Sequence, residues 1–322
     1  MKIAIPLRTT YSQVERHFRR LAREVNDTLK PRVEERDWFF SSRVKAEESF
    51  ALKVETGRVP EPASMEDFFA CTIIVQTSTQ IAEAEDLVYS LYDPSSRKPK
   101  LDSSTHKAPY SFEFDDLRLY VLQRDQRNGR EEDLIGLMFE IQIKTILQHA
   151  WSIATHDLIY KSDTSSWPLQ RIAYQAKAML EHAEVTIAEA ESMSSTPSLA
   201  KSDRKTQGLL EIITLSKDLW QPEQLPDDVK RLAENLWELL KACDQRPSNL
   251  KSIIEAEVSR IGVLPVDLSP YAFTIQALIN NWSIDFEQKF KRPHIKTRIA
   301  IHDGIEIPES FGKVHDRILV LQ

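Results

Sequence analysis

Residues 139–144 read Phe-Glu-Ile-Gln-Ile-Lys, an alternation of apolar and polar side chains without a slip. On a strand, a period of two puts Phe139, Ile141 and Ile143 on one face and Glu140, Gln142 and Lys144 on the other. Such a strand needs a sheet to pair with and helices to cover its apolar face. Its polar face then either meets solvent or lines a cleft holding a carboxylate, an amide and a cation.

The neighbouring sequence supplies those partners. Val14, Phe18, Leu21, Val25 and Leu29 recur at helical spacing and predict one or two leading helices over residues 10–38. Residues 42–55 read as a short strand running into a helix. Residues 67–76 (DFFACTIIVQ) form a β-branched apolar run, hence a buried strand. An amphipathic helix follows, opened by Ser78 or Thr79 as cap. Residues 93–109 are polar and Pro/Ser-rich and read as a loop. Residues 112–123 alternate into a strand, residues 124–133 are a charged hairpin connection, and 146–161 a helix. Intermixed strands and helices to about residue 162 predict an α/β or α+β sheet domain. Beyond 165 the pattern is almost wholly helical, with a linker near 194–208 and core stripes that include Trp220, Leu236, Leu239 and Leu240. A short tail near 317–322 reads as a strand. The domain division read from this is 1–40 (leading helices), 41–193 (sheet domain) and 209–322 (mainly helical accessory domain).

Composition narrows the function. Seven glycines in 322 residues leave no Walker loop and no GxGxxG, so phosphate must be held by side chains. A net charge of −7 disfavours a non-specific nucleic-acid coat but permits a local basic cleft. No apolar stretch approaches the ~20 residues of a membrane span, and the first residues show no signal-peptide pattern. Cys71 and Cys243 sit far apart among apolar residues, which reads as two buried thiols in a reducing cytoplasm.

Chemistry concentrates in three places. Arg43 and Lys45 share a strand face, and Ser49 and Lys53 are one helical turn apart. Three cations and a hydroxyl suit phosphate, though the same residues also make an ordinary surface charge cluster. Asp67 precedes the buried strand, where it serves as a turn residue or, together with Glu140, as half of a carboxylate pair for Mg²⁺. His149 and His156 have no evident third ligand and are not read as a metal pair.

In order along the chain these motifs resemble the synthetase region of the RelA/SpoT family. Arg43-x-Lys45-x-x-x-Ser49-x-x-x-Lys53 is similar to its ATP-binding signature, Asp67 is placed like its metal-binding aspartate, and Glu140-Ile-Gln142-Ile-Lys144-Thr145 is similar to its EIQIRT strand. His149-Ala-Trp151 through Tyr160-Lys161 resembles the helix that follows. The resemblance implies a mixed β-sheet, nucleotidyltransferase-like domain flanked by helices, followed by a mainly helical C-terminal domain. It also implies a transfer of the β,γ-pyrophosphate of ATP to a ribose 3′-hydroxyl. Arg43, Lys45, Ser49 and Lys53 would bind ATP, and Asp67 and Glu140 would hold Mg²⁺ and carry the catalysis.

The acceptor side departs from the family pattern. Thr72 stands where an arginine is usual, and in place of G-Y-x-S-x-H the chain has Glu113, Phe114 and Arg118 at the glycine, tyrosine and histidine positions. Lys107, Phe114, Arg118 and Gln142 are the acceptor-side candidates, with Tyr110 replacing Phe114 in a shifted register. The acceptor is then a guanine or adenine nucleotide, in stress signalling, or the 3′ end of tRNA, in a growth-inhibiting toxin or defence protein. A catalytically inactive nucleotide-binding or sensor module is the alternative of another class. By analogy with family members that carry an extra domain, the C-terminal half would serve self-inhibition or sensing, and an inhibitory or activating protein partner would act through it. The His156-Asp157 and His302-Asp303 dipeptides resemble hydrolase metal motifs but are read as chance.

Overall fold

The computed structural model describes all residues except 1, 58, 60, 62–64, 101–111, 113–115, 125–133, 160–165, 266, 282–283, 303, 307–316 and 321–322. The hairpin expected at 124–133 therefore falls almost wholly outside the described residues. The chain packs as two units, residues 1–196 and 197–322.

The first unit opens with one long helix, α1 (Ile5–Glu34), rather than two. Its buried residues Tyr11, Phe18, Leu21, Val25, Leu29 and Val33 form a single stripe, as the 3.6-residue period requires. Then come β1 (Phe39–Val44), α2 (Glu47–Glu55), β2 (Phe69–Val75), α3 (Ile81–Leu91), β3 (Asp93–Lys98), β4 (Leu117–Leu122), β5 (Met138–Thr145), α4 (Ile146–Ile159), α5 (Trp167–Ala188) and α6 (Ala190–Ser194). The five strands form one mixed sheet in the order β1-β2-β5-β4-β3, with β2 and β5 parallel at its centre and the other pairs antiparallel.

Cys71, Ile73 and Val75 of β2, Phe139, Ile141 and Ile143 of β5, and Leu117, Leu119 and Val121 of β4 point to one face. There they join the α1 stripe in a single core. An aromatic group closes its end, with Phe68 5.4 Å from Tyr11, 4.8 Å from Phe18 and 5.6 Å from Phe50 between ring centroids.

Two expectations need correction. Residues 93–98 are a strand and not a loop. The free edge of β4 needs a partner, and pairing across the sheet overrides local propensity. As an edge strand β3 tolerates Pro94, whose missing N–H would interrupt a central strand. The turn leading into α3 is capped by Thr77, not by Ser78 or Thr79, and Gln80 Oε1 accepts from Thr77 N at 3.2 Å.

The second unit comprises α7 (Arg204–Leu219), α8 (Val229–Ala242), α9 (Leu250–Ile261), α10 (Pro270–Asn280), α11 (Phe286–Phe290), and a parallel pair, β6 (Ile299–Ile301) with β7 (Ile318–Val320). Trp220, Leu236, Leu239 and Leu240 are buried in its core. Helix α7 begins inside the stretch read as a linker, where Asp203 Oδ1 caps it by accepting from Thr206 N at 2.7 Å. Cys71 and Cys243 are both free and buried. Among the described residues no helix is long and apolar enough to cross a membrane.

Gly208 of α7 is where this unit leaves no room. A Cβ there would lie 2.0 Å from Cζ3 of Trp237 on α8. Gly208→Ala is expected to destabilise the unit by about 1–3 kcal/mol through overpacking. Replacing Trp237 with Leu in the same chain should recover part of the loss, as read by thermal unfolding.

Candidate active site

Asp67 holds together two of the four residues expected to grip ATP. Its Oδ2 accepts from Lys45 Nζ at 2.8 Å and its Oδ1 from Lys53 Nζ at 2.9 Å. Lys45 directly follows β1 and is pinned through its backbone, its N–H bonding Phe68 O at 2.7 Å and its carbonyl accepting from Tyr11 Oη at 2.8 Å. Lys53 reaches in from α2, with Ser49 exposed one turn before it. Burial works against the charge of Asp67, but the hydrogen bonds and charges of Lys45 and Lys53 outweigh it. Its pKa is held below the usual carboxylate value.

The second group lies on the polar face of the sheet. Strand register aligns Arg43 with Ala70, Ala70 with Glu140, and Glu140 with Tyr120. One step along, Ser41, Thr72, Gln142 and Arg118 form the adjacent row. Glu140 is buried, accepts from Gln142 Nε2 and from the Tyr120 hydroxyl, and its charge together with burial raises the Tyr120 pKa. A cavity of about 770 Å³ covers this face, with Arg43, Thr72, Arg118, Gln142 and Lys144 on the sheet side and His149 and Thr155 on the α4 side.

Two of the cations in this cleft are held by a carboxylate that the sequence reading assigned no role. Asp116 Oδ1 accepts from Arg118 Nε at 2.8 Å, and its Oδ2 lies 3.7 Å from Lys144 Nζ. Its signal was present in the sequence, since an acid two residues before Arg118 on a strand shares its face. Burial lowers the pKa of Lys144, the charge of Asp116 acts to restore it, and Arg118 and Arg43 add to the lowering. His149 is pushed below the ordinary histidine value by burial and then by Lys144, so it is uncharged at neutral pH.

Lys45, Lys53 and Asp67 therefore form one cluster. Arg43, Glu140, Gln142 and Arg118 share the sheet face beside it. Lys107, Phe114 and the alternative Tyr110 lie outside the described residues. Among the described residues no group of three or more His, Cys, Asp or Glu is arranged to hold a metal ion.

Residues 42–165 match the family model described as the region found in RelA / SpoT proteins. Over that span the chain is similar to the RelA/SpoT family. The matched RelA/SpoT region contains both clusters and every strand of the sheet except the first three residues of β1. No curated protein matches the chain significantly. Similar solved structures include the small alarmone synthetase 1 from Bacillus subtilis (20% identity over 57% of this chain and 97% of that one, TM-score 0.49). Others are the small alarmone synthetase 2 from Bacillus subtilis (17%, 56% and 97%, 0.46) and a GTP pyrophosphokinase family protein from Streptococcus pneumoniae (16%, 62% and 100%, 0.42).

Asp67→Asn removes both ion pairs and leaves the largely buried Lys45 without its counter-ion. In metal-free buffer at pH 7 the expected loss of stability is about 1–2 kcal/mol, most of it from Lys45, because the Lys53 pair is more exposed and more screened. The folded-state pKa of Asp67 is depressed, so its contribution is present above pH about 4 and disappears as pH falls through the depressed value. Denaturant unfolding should show the gap between parent and variant closing below pH about 4. A gap that persists in acid would contradict this account.

Proposed function

We propose that the protein is an ATP-dependent pyrophosphokinase that transfers the β,γ-pyrophosphate of ATP to the ribose 3′-hydroxyl of a phosphorylated acceptor. The observation that carries this reading is the Lys45–Asp67–Lys53 cluster, together with a cleft lined by Arg43, Arg118, Gln142 and Lys144 on the sheet face that Glu140 shares by its strand alternation. Pyrophosphoryl transfer asks a protein mainly for positioning and charge neutralisation, which this arrangement is built to supply.

In this reading Arg43, Lys45 and Lys53 neutralise the ATP phosphates and Ser49 donates a hydrogen bond to them. The lysines exchange Asp67 for phosphate when ATP enters. Asp67 and Glu140 are hard oxygen donors of the kind Mg²⁺ takes, and two carboxylates suffice when phosphates and water complete the shell. Both carboxylates keep unused lone pairs beside the hydrogen bonds they accept. Mg²⁺ bound there would supply charge neutralisation across the phosphates. Glu140 takes the proton of the attacking 3′-hydroxyl. The new bond joins the acceptor oxygen to the β-phosphorus, the bond from that phosphorus to the α–β bridging oxygen breaks, and AMP leaves with the electron pair.

Arg118, Gln142 and Lys144 face the same cleft and make the acceptor side. Their charge suits a phosphorylated acceptor, with a guanine or adenine nucleotide and a tRNA 3′ end as the candidates to be distinguished.

The test follows the γ-phosphate label of ATP into GTP, GDP, ATP or bulk tRNA. Label is expected on one of these acceptors. Glu140→Gln should lower the rate by at least about 100-fold. Lys45→Ala and Lys53→Ala should raise the KM for ATP. Absence of transfer to every acceptor, with Glu140→Gln indistinguishable from the parent, would make the chain an inactive nucleotide-binding module.

A further inference from the structure

Asp116 stands at the start of β4, its side chain only 4% exposed. Two cations from neighbouring strands meet on it, Arg118 by a hydrogen bond and Lys144 by charge at a separation too long for one. Its Oδ2 is buried and accepts no hydrogen bond from the described residues. An anion kept in so dry a place carries a desolvation cost, which among the described residues these two cations offset.

The cations themselves need an explanation. Lys144 is almost as buried as Asp116, with Arg118, Arg43, Glu140 and the uncharged His149 also around it. Two like charges on adjacent strands repel, and Arg118 is 37% exposed, so it has an open path to solvent. The Asp116 carboxylate, fastened to Nε, keeps the guanidinium on the wall of the cleft. Both cations line that cleft, and Asp116 is not among its lining residues.

We propose that Asp116 is a positioning residue that holds Arg118 and Lys144 together as a preformed subsite for the phosphate groups of the acceptor. The identity of that ligand rests on the pyrophosphokinase reading, whereas the subsite for phosphate does not. Preorganisation makes a prediction of definite sign. On charge alone, removing an anion from a phosphate site tightens binding; if Asp116 acts by holding the cations in place, removing it weakens binding.

The experiment measures binding of inorganic tripolyphosphate by calorimetry to the parent, Asp116→Asn, Arg118→Ala and the double variant. Acceptor KM and kcat are measured on the same four proteins, and thermal unfolding serves as the folding check. Asp116→Asn is expected to bind about tenfold more weakly and to raise acceptor KM rather than lower kcat. The double variant should lose less than the sum of the two single losses, since Asp116 acts in part through the Arg118 side chain. Arg118→Lys keeps the charge but lacks the anchored Nε, so it should also bind about tenfold more weakly. It decides the matter if Asp116→Asn does not fold. Unchanged or tighter binding in a folded Asp116→Asn, strictly additive losses, full affinity in Arg118→Lys, or a parent that does not bind tripolyphosphate overturns the proposal. Normal transfer by Asp116→Asn at unchanged acceptor KM sinks it and leaves the pyrophosphokinase reading intact. The tripolyphosphate pattern without transfer to any acceptor does the reverse.

Discussion

The parallel pairing of β2 with β5 is the constraint on which the first unit depends. It sets Ala70 beside Glu140 and Thr72 beside Gln142, joining segments about seventy residues apart in the chain. Because the pleat has a period of two, one register decides both faces at once. Cys71, Ile73, Ile141 and Ile143 go to the core against α1, and the polar set goes to the cleft. A slip of one residue would bury Glu140 and Lys144 among the phenylalanines and expose the isoleucines. The hydrophobic term therefore keeps the polar residues aligned.

Charge is organised in two compensated clusters on this scaffold. At the edge, one aspartate is shared by two lysines, and on the sheet face another is shared by an arginine and a buried lysine. Each keeps cations close together without a ligand, at a fraction of the repulsion they would otherwise meet. The difference between them is access. Asp67 is part-exposed, whereas Asp116 is enclosed. With few glycines and no backbone cradle, this protein collects cationic side chains on a rigid sheet, with carboxylates to hold them.

Much of this was legible in the chain. The alternation at 139–144 named the strand, its faces and the carboxylate at its centre, because period-two patterning is a local property. The spacing of Arg43, Lys45, Ser49 and Lys53 marked a cationic strand–helix unit for the same reason. What could not be read was pairing. Residues 93–98 look like a loop until the open edge of β4 supplies a partner, and Asp116 looks like one more acid in a polar stretch until β4 lies beside β5.

The sequence by itself determined which residues face which way and which chemical groups the chain can offer, since these follow from side-chain period and residue type. Only the tertiary structure decided who meets whom: Asp67 with both lysines, and Asp116 with Arg118 and Lys144. Those contacts depend on strand order and register, which are set by burying the apolar face of the whole sheet together and cannot be computed one segment at a time.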